Sequence, residues 1–148
     1  MDILYTDTDQ VRSCLLLAEE DLPDTVFSQD LYERELTLHL DSWLPDHSSL
    51  VTATATPEGK RTSYALQNYC AYWAAYRVAS TLVVSVPQQV SDGKNMWQRG
   101  TDFVALMAAM MAGMSEAKST IMQTVNGTSP VTVTQFSVAG LAVDPVTG

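Results

Sequence analysis

Residues 57–86 read PEGKRTSYALQNYCAYWAAYRVASTLVVSV, and they carry the clearest structural pattern in the chain. Thr56 is a good N-cap, Pro57 suits the first helical position, and Glu58 favours the positive end of the helix dipole. Pro87 cannot continue a helix. Between these limits, apolar side chains recur at helical spacing, namely Leu66, Tyr69, Trp73, Tyr76 and Val83. The segment therefore predicts a helix of roughly 40 Å.

A first helix is predicted near the start of the chain, over residues 8–18. Asp7 and Gln10 have the spacing of a capping box, in which Asp7 is the N-cap and the Gln10 side chain reaches back to it. Apolar residues then follow at helical spacing. The acidic run at 19–24 ends this helix, because Pro23 disfavours a helical conformation in the residue before it.

A second helix is predicted over residues 28–44. Ser28 or Asp24 can cap its start, and Pro45 stops it. One face of this helix is apolar and carries Leu36, Leu40, Trp43 and Leu44. The residues from 45 to 56 are predicted to form a loop, and residues 51–56 within it are expected to be briefly extended.

A fourth helix is predicted over residues 93–124. Ser91 or Asp92 is the expected N-cap, and Asn126-Gly127 ends the helix because glycine readily adopts the left-handed conformation. Its middle is apolar nearly all round, since alanine and glycine alternate there with Met107, Met110, Met111 and Met114. Such a helix is buried on more than one side. It is either the central helix of a four-helix monomer, or it packs one face inside the subunit and another against a neighbouring subunit.

The character of the chain changes after residue 127. Residues 131–138 alternate apolar and polar side chains, which is a strand pattern. One such strand is not stable alone, so it pairs either with residues 51–56 or with another protein. The predicted fold is therefore mainly α, a four-helix bundle-like single domain over residues 1–127, with an extended C-terminal arm at 128–148 that includes a short β segment.

Charge is low and unevenly distributed. Hydrophobic residues make up 46% of the 148 residues and charged residues only 17%, with a net charge of −9. Residues 1–59 hold 13 acidic and 2 basic side chains, whereas residues 60–148 hold 4 acidic and 6 basic ones. An acidic half disfavours nucleic-acid binding, which requires cations to displace counterions from phosphates. It is compatible with a channel through which DNA passes, because a negative wall repels phosphate.

Sequence motifs for catalysis or cofactor binding are absent. The chain has no glycine-rich phosphate loop and no Gly-x-Ser-x-Gly elbow. Its two histidines, His39 and His47, lack the spacing of a helical metal site and are interpreted as surface residues near a helix end. Cys14 and Cys70 lie in apolar stretches and are interpreted as buried free thiols. We therefore expect a protein that is not an enzyme and has no metal or cofactor.

Membrane insertion and secretion are not expected either. The chain opens without the basic start and apolar run of a signal peptide. Its longest apolar stretch, at 103–114, has 12 residues, fewer than the roughly 20 that a membrane-spanning helix requires. The sequence predicts a cytoplasmic, soluble product.

The N-terminal third resembles the head–tail adaptor (connector) family of tailed bacteriophages. The opener at 5–12, YTDTDQVR, runs into Leu15-Leu16-Leu17 and looks like the first helix of that family. The acidic break at 19–24, EEDLPD, looks like its first turn, and the helix that closes on Trp43-Leu44-Pro45 looks like its second helix. The likeness covers about 45 residues by pattern, and beyond them it rests on helix order and length. The family often has a glycine before the acidic break, whereas this chain has Leu17-Ala18.

The resemblance implies a structural virion protein in the neck of the particle. Such proteins form a homo-oligomeric ring of about twelve subunits under the portal protein and offer a docking surface to a stopper or tail-tube terminator protein. Double-stranded DNA passes through the ring without specific binding, and a C-terminal arm inserts into a neighbouring component. Channel-facing acidic residues are then expected at Asp30, Glu33, Glu35 and Asp41. The partner or oligomer interface is expected at Val131, Val133, Phe136, Val138, Leu141, Met107, Met110 and Met111.

Two alternatives stay open on the sequence. One is a different neck component, a stopper or a terminator, which tends to be rich in β structure. The other is a helical ligand-binding or regulatory bundle. Its pocket is expected to be lined by Trp73, Tyr76, Trp97 and Met107.

Overall fold

A computed structural model of the chain describes residues 2–27, 31–85, 89–91, 96–98 and 102–127. Within these ranges the fold is mainly helical, as predicted. The elements in chain order are β1 (Asp2–Ile3), β2 (Thr6–Asp7), α1 (Thr8–Leu15), a 3-10 turn (Asp24–Val26), α2 (Leu31–Trp43), α3 (His47–Thr52), α4 (Pro57–Ser85), β3 (Gln89–Ser91), β4 (Met96–Gln98) and α5 (Phe103–Asn126).

The start of α1 has the predicted Asp7 N-cap, but the Gln10 side chain bonds Thr6 instead of reaching back to Asp7. The Asp7 carboxylate accepts a hydrogen bond from the backbone N–H of Gln10 at 2.8 Å. The Gln10 side chain accepts from the hydroxyl of Thr6 at 2.6 Å, because the antiparallel β1–β2 hairpin places that hydroxyl beside it. The helix ends at Leu15, earlier than the predicted residue 18, since Leu16 adopts a left-handed conformation with φ 56°.

The stretch between α2 and α4 differs from the prediction. Residues 51–56 were expected to be extended, but α3 covers His47–Thr52. The backbone N–H groups of Ser49 and Leu50 donate to the carbonyl of Asp46 and start this helix. Leu50 and Val51 pack against the core from α3, so burial outweighs the strand preference of the alternating Val and Thr residues. The prediction of an internal partner strand at 51–56 is therefore wrong.

Helices α4 and α5 form the backbone of the fold. The Thr56 hydroxyl oxygen accepts from the N–H of Gly59 at 3.0 Å, which confirms the predicted start of α4. The two helices are antiparallel, since Thr62 near the start of α4 donates to Thr124 near the end of α5 at 2.8 Å. Gly113 at mid-helix lets the two helices approach closely, because a Cβ at that position would lie 2.7 Å from a Tyr72 ring carbon.

Helix α5 begins ten residues later than predicted. Ser91 belongs to β3, and β3 pairs with β4 in an antiparallel hairpin, so Ser91 does not cap a helix. The cap is Asp102, whose carboxylate accepts from the N–H groups of Val104 at 3.1 Å and Ala105 at 3.2 Å. The C-terminal end agrees with the prediction, because α5 ends at Asn126 and Gly127 is left-handed with φ 65°.

Two clusters of buried side chains form the core. The first joins α1, α4 and α5 through Val11, Leu15, Ala75, Val78, Phe103 and Met110. The second joins α2, α4 and α5 through Leu36, Leu40, Leu66, Tyr69, Cys70 and Ile121. Trp73 packs against both clusters and connects them. The predicted arm at 128–148, with its strand at 131–138, lies outside the described residues.

Candidate interaction surfaces

A groove of about 720 Å³ opens where α2, α4 and α5 meet. We call it the aromatic groove, because three aromatic side chains of α4 line it. Its lining comprises Glu35, His39, Tyr69, Trp73, Tyr76, Arg77, Met111, Met114, Ser115 and Lys118.

Helical periodicity explains why these residues share one groove. Residues three, four and seven positions apart lie on the same face of a helix. On α4 that spacing brings Tyr69, Trp73 and Tyr76 together. On α5 it places Met111, Met114, Ser115 and Lys118 on one face. Part of the α4 stripe seen in the sequence is thus left uncovered between α2 and α5.

Cationic groups flank the aromatic groove. Arg77 donates a hydrogen bond to the Glu35 carboxylate at 2.5 Å, and its guanidinium carbon lies 5.7 Å from the centre of the Trp73 ring. The Lys118 ammonium lies 4.6 Å from the centre of the Trp43 ring. Among the described residues, no carboxylate lies within ion-pair distance of Lys118.

His39 lies at the wall of the aromatic groove and stacks on Tyr69, with an interplanar angle of 4°. Its Nε2 atom is 2.7 Å from the Tyr69 hydroxyl oxygen. Burial lowers the pKa of His39, and the positive charge of Lys118 lowers it further. Burial also raises the pKa of Tyr69. The pair is therefore uncharged at neutral pH, and Lys118 supplies the positive charge at this end of the groove.

The pocket predicted from the sequence is found in part. Trp73 and Tyr76 line the aromatic groove as expected. Met107 packs against the first core cluster, away from the groove lining. The side chain of Trp97 lies outside the described residues. The groove residues His39, Met114 and Lys118 were missed, because their spacing within each helix does not indicate which helices pack together.

The three methionines predicted at an interface differ in position. Met110 is 6% exposed and belongs to the first core cluster, and Met107 packs against the same cluster. Met111 is 55% exposed at the edge of the aromatic groove. The other predicted interface residues, Val131, Val133, Phe136, Val138 and Leu141, lie outside the described residues.

Helix α5 also carries an exposed apolar face. Met111 and Val104, which is 60% exposed, lie on it. The small side chains between and beside them are exposed as well, at Ala105, Ala108 and Ala112. The helix is therefore apolar on its packed face and on its outer face. That arrangement is typical of a helix with neighbours on more than one side.

The predicted acidic surface on α2 consists of groups in different settings. Glu33 is exposed. Glu35 forms the ion pair with Arg77, and Asp41 accepts a hydrogen bond from His47 at 3.0 Å. Asp30 lies outside the described residues. The carboxylates of Glu35 and Asp41 thus help to hold α2 against its neighbours.

His47 is buried, so its interpretation as a surface residue is wrong. It is 7% exposed, and its two ring nitrogens contact Asp41 on α2 and Tyr5 after β1. The pKa of Tyr5 is raised by burial and by the nearby Cys70 and Asp41. The Tyr5 hydroxyl therefore stays protonated at neutral pH and is a weak nucleophile. The chain of three groups connects the N-terminal hairpin, α2 and α3.

Arg12 organises the acidic turn that follows α1. Its side chain is 6% exposed; Nε donates to the carbonyl of Leu22 at 2.8 Å, and the terminal nitrogens contact Asp9 and Asp24. Hydrogen bonds from Thr8 and Arg12 lower the pKa of the Asp24 carboxyl. The buried Arg12 side chain thus connects the first turn of α1 to Leu22 and Asp24 at the end of the acidic turn.

The described residues contain no group of three or more metal-ligating side chains, and no described helix is long and apolar enough to cross a membrane. Cys14 and Cys70 are free thiols; Cys70 is buried as expected, whereas Cys14 is only partly buried. Burial raises the pKa of Cys70 to about 12, which keeps this thiol in its unreactive protonated form.

Comparison of the chain with protein-family models, with curated proteins and with solved structures found no match.

Proposed function

We propose that the chain is a structural subunit of the head–tail adaptor ring of a tailed bacteriophage, located between the portal and the stopper or tail. In this function it contributes rigid wall material to a DNA channel and has no catalytic role. The proposal starts from the resemblance of the first 45 residues to the adaptor family. The positions of α1 and α2 agree with the helix order that this resemblance implies.

Exposed apolar surface is the observation that carries the proposal. Large hydrophobic side chains are exposed to solvent on two helices and in the turn after α1. They are Leu31 and Leu38 on α2, Val104 and Met111 on α5, and Leu16 in the turn. Single exposed apolar residues are common, but an exposed apolar helix face beside an open aromatic groove is typical of a surface that is covered by a partner. A ring subunit has such partners on both sides.

The charge distribution supports a channel. Acidic residues concentrate in the first 59 residues, and Glu33 on α2 is an exposed example. A negative wall keeps a phosphate backbone from adhering while DNA moves past. Of the four acidic positions predicted to face the lumen, Glu33 is the exposed one that can form this wall, because Glu35 is paired with Arg77 and Asp41 with His47, and Asp30 lies outside the described residues.

Quantitative mass spectrometry of purified particles is the direct test. The chain should be present at about twelve copies per particle, relative to the major capsid protein, as a closed ring requires. Absence of the chain from the particle would end the structural proposal. A copy number of one or of several hundred would assign it to a different part of the virion.

A small-molecule binding bundle is the second candidate, and the aromatic groove favours it. An apolar groove of about 720 Å³ lies within the size range of ligand pockets. A ligand that binds only the folded state raises the unfolding temperature in proportion to the logarithm of its concentration. A screen of small aromatic compounds by thermal denaturation distinguishes this function. A ligand-binding bundle should be stabilised by at least one compound, and Trp73→Ala should abolish that stabilisation. An adaptor subunit should show no such compound.

A stopper or terminator is the remaining structural alternative. Those proteins tend to be rich in β structure, whereas the described residues are mainly helical. Imaging of the neck with a labelled C-terminus would show whether the chain lies at the adaptor, stopper or terminator position along the tail axis.

A further inference from the structure

Leu16 is exposed in a backbone conformation that leucine disfavours. It has φ 56° and ψ 37°, the left-handed region in which glycine is the usual residue at the end of a helix. The residue is 78% exposed, more than any other large hydrophobic residue described. Glycine at this position would relieve the backbone and remove an apolar side chain from water. Leu16 is therefore unfavourable to the free subunit in both its backbone conformation and its exposure. This indicates that the residue contacts another molecule.

The chemistry beside Leu16 is acidic. Glu19, Glu20 and Asp21 follow within the same exposed turn. We call residues 16–21 the Leu16 turn. Its surface is one projecting apolar side chain followed by carboxylates, and the turn is held in shape by hydrogen bonds to Arg12 O and Ser13 O.

The aromatic groove has the complementary properties. Its lining includes the aromatic rings of Trp73 and Tyr76 and the exposed side chain of Met111, and Lys118 lacks a carboxylate partner among the described residues. The Leu16 turn complements the groove in both respects. The Leu16 side chain can cover the aromatic rings, and a carboxylate of the turn can neutralise the Lys118 ammonium.

We propose that the Leu16 turn of one copy of this chain docks in the aromatic groove of a second copy. The two surfaces share no residue, so the contact is heterologous and leaves one free turn and one free groove at the ends of every dimer. Repetition of such a contact closes into a ring when the rotation permits. This inference rests on the proposed ring function and assigns its lateral contact.

The substitution Leu16→Gly tests the contact without a loss of folding. Thermal denaturation should show a subunit at least as stable as wild type, since glycine suits the left-handed position. Sedimentation analysis should show self-association weakened by about tenfold or more, as expected for a central apolar anchor. The control is Val125→Ala, which shortens a 48% exposed apolar side chain near the end of α5 and should leave association unchanged.

Charge reversal tests the pairing of the two surfaces. Glu20→Lys and Lys118→Glu should each weaken self-association, and the chain that carries both should recover it, because each contact then pairs the exchanged charges. If the wild-type chain self-associates and every variant does so equally, the proposed contact is wrong, whereas the proposed adaptor function is unaffected. A wild-type chain that stays monomeric at its highest soluble concentration would also overturn the contact. The adaptor function is decided separately, by the copy number in particles.

Discussion

The Nδ1 atom of His47 lies 2.6 Å from the hydroxyl oxygen of Tyr5, although the two residues are 42 positions apart in the chain. The Nε2 atom of the same ring lies 3.0 Å from a carboxylate oxygen of Asp41. A carboxylate only accepts hydrogen bonds, so in the neutral ring Nε2 carries the proton and Nδ1 accepts from Tyr5. One buried imidazole therefore connects three separate elements.

We expect Tyr5→Phe to lower the free energy of unfolding by about 1 kcal/mol, the usual contribution of one hydrogen bond. Urea denaturation followed by circular dichroism measures this change. Tyr64→Phe is the matched control, because Tyr64 is 59% exposed and its hydroxyl is free to contact water. Equal losses for the two variants would show that the bond to His47 does not stabilise the fold.

Gly113→Ala should destabilise the protein, despite the higher helix propensity of alanine. The new methyl group would lie 2.7 Å from the Tyr72 ring, so that ring or one of the two helices must shift, at a cost of about 1–3 kcal/mol. In a Tyr72→Ala background that clash is absent, and Gly113→Ala should instead stabilise the helix by up to about 1 kcal/mol. Denaturant midpoints of the four proteins test this reversal of sign. If Gly113→Ala changed the stability in the same direction in both backgrounds, the close approach of Gly113 to Tyr72 would be refuted.

Asp24 should make the protein sensitive to acid. Hydrogen bonds from Thr8 and Arg12 lower the pKa of this carboxyl in the folded state. Its contribution is therefore complete above the pKa of the unfolded chain and is lost as the pH falls through the lowered folded value. Asp24→Asn should lower stability at neutral pH and flatten its decline below about pH 4. Asp21→Asn is the control. The prediction would be contradicted if the free energy of unfolding declined as steeply with falling pH in Asp24→Asn as in wild type.

Removal of the Lys118 charge should raise the pKa of His39. Burial is the larger cause of the lowered pKa and the Lys118 charge the second, so Lys118→Met restores part of the shift. In wild type, the contribution of His39 to stability is complete above the unfolded pKa of about 6.5 and falls as the pH decreases towards the folded value. Histidine ring resonances followed by NMR against pH give the pKa in each protein. Lys60→Met is the charge-matched control, and an equal rise there would exclude a local effect.

The sequence alone determined the features that depend on neighbouring residues. Thr56 and Pro57 start α4, Asp7 starts α1, and Gly127 ends α5, because caps and left-handed termini are formed by groups within three or four positions of each other. The mainly helical class follows from the same local periodicity. These predictions needed no knowledge of which helices touch.

Tertiary structure decided the rest, because burial depends on partners that are distant in the chain. It turned residues 47–52 into α3 by packing Leu50 and Val51, and it buried His47 between Tyr5 and Asp41. It also assembled the aromatic groove from three helices, where the sequence showed only separate stripes. Local hydrogen bonds set where helices begin and end, whereas the hydrophobic effect acts on whichever surfaces the folded chain brings together.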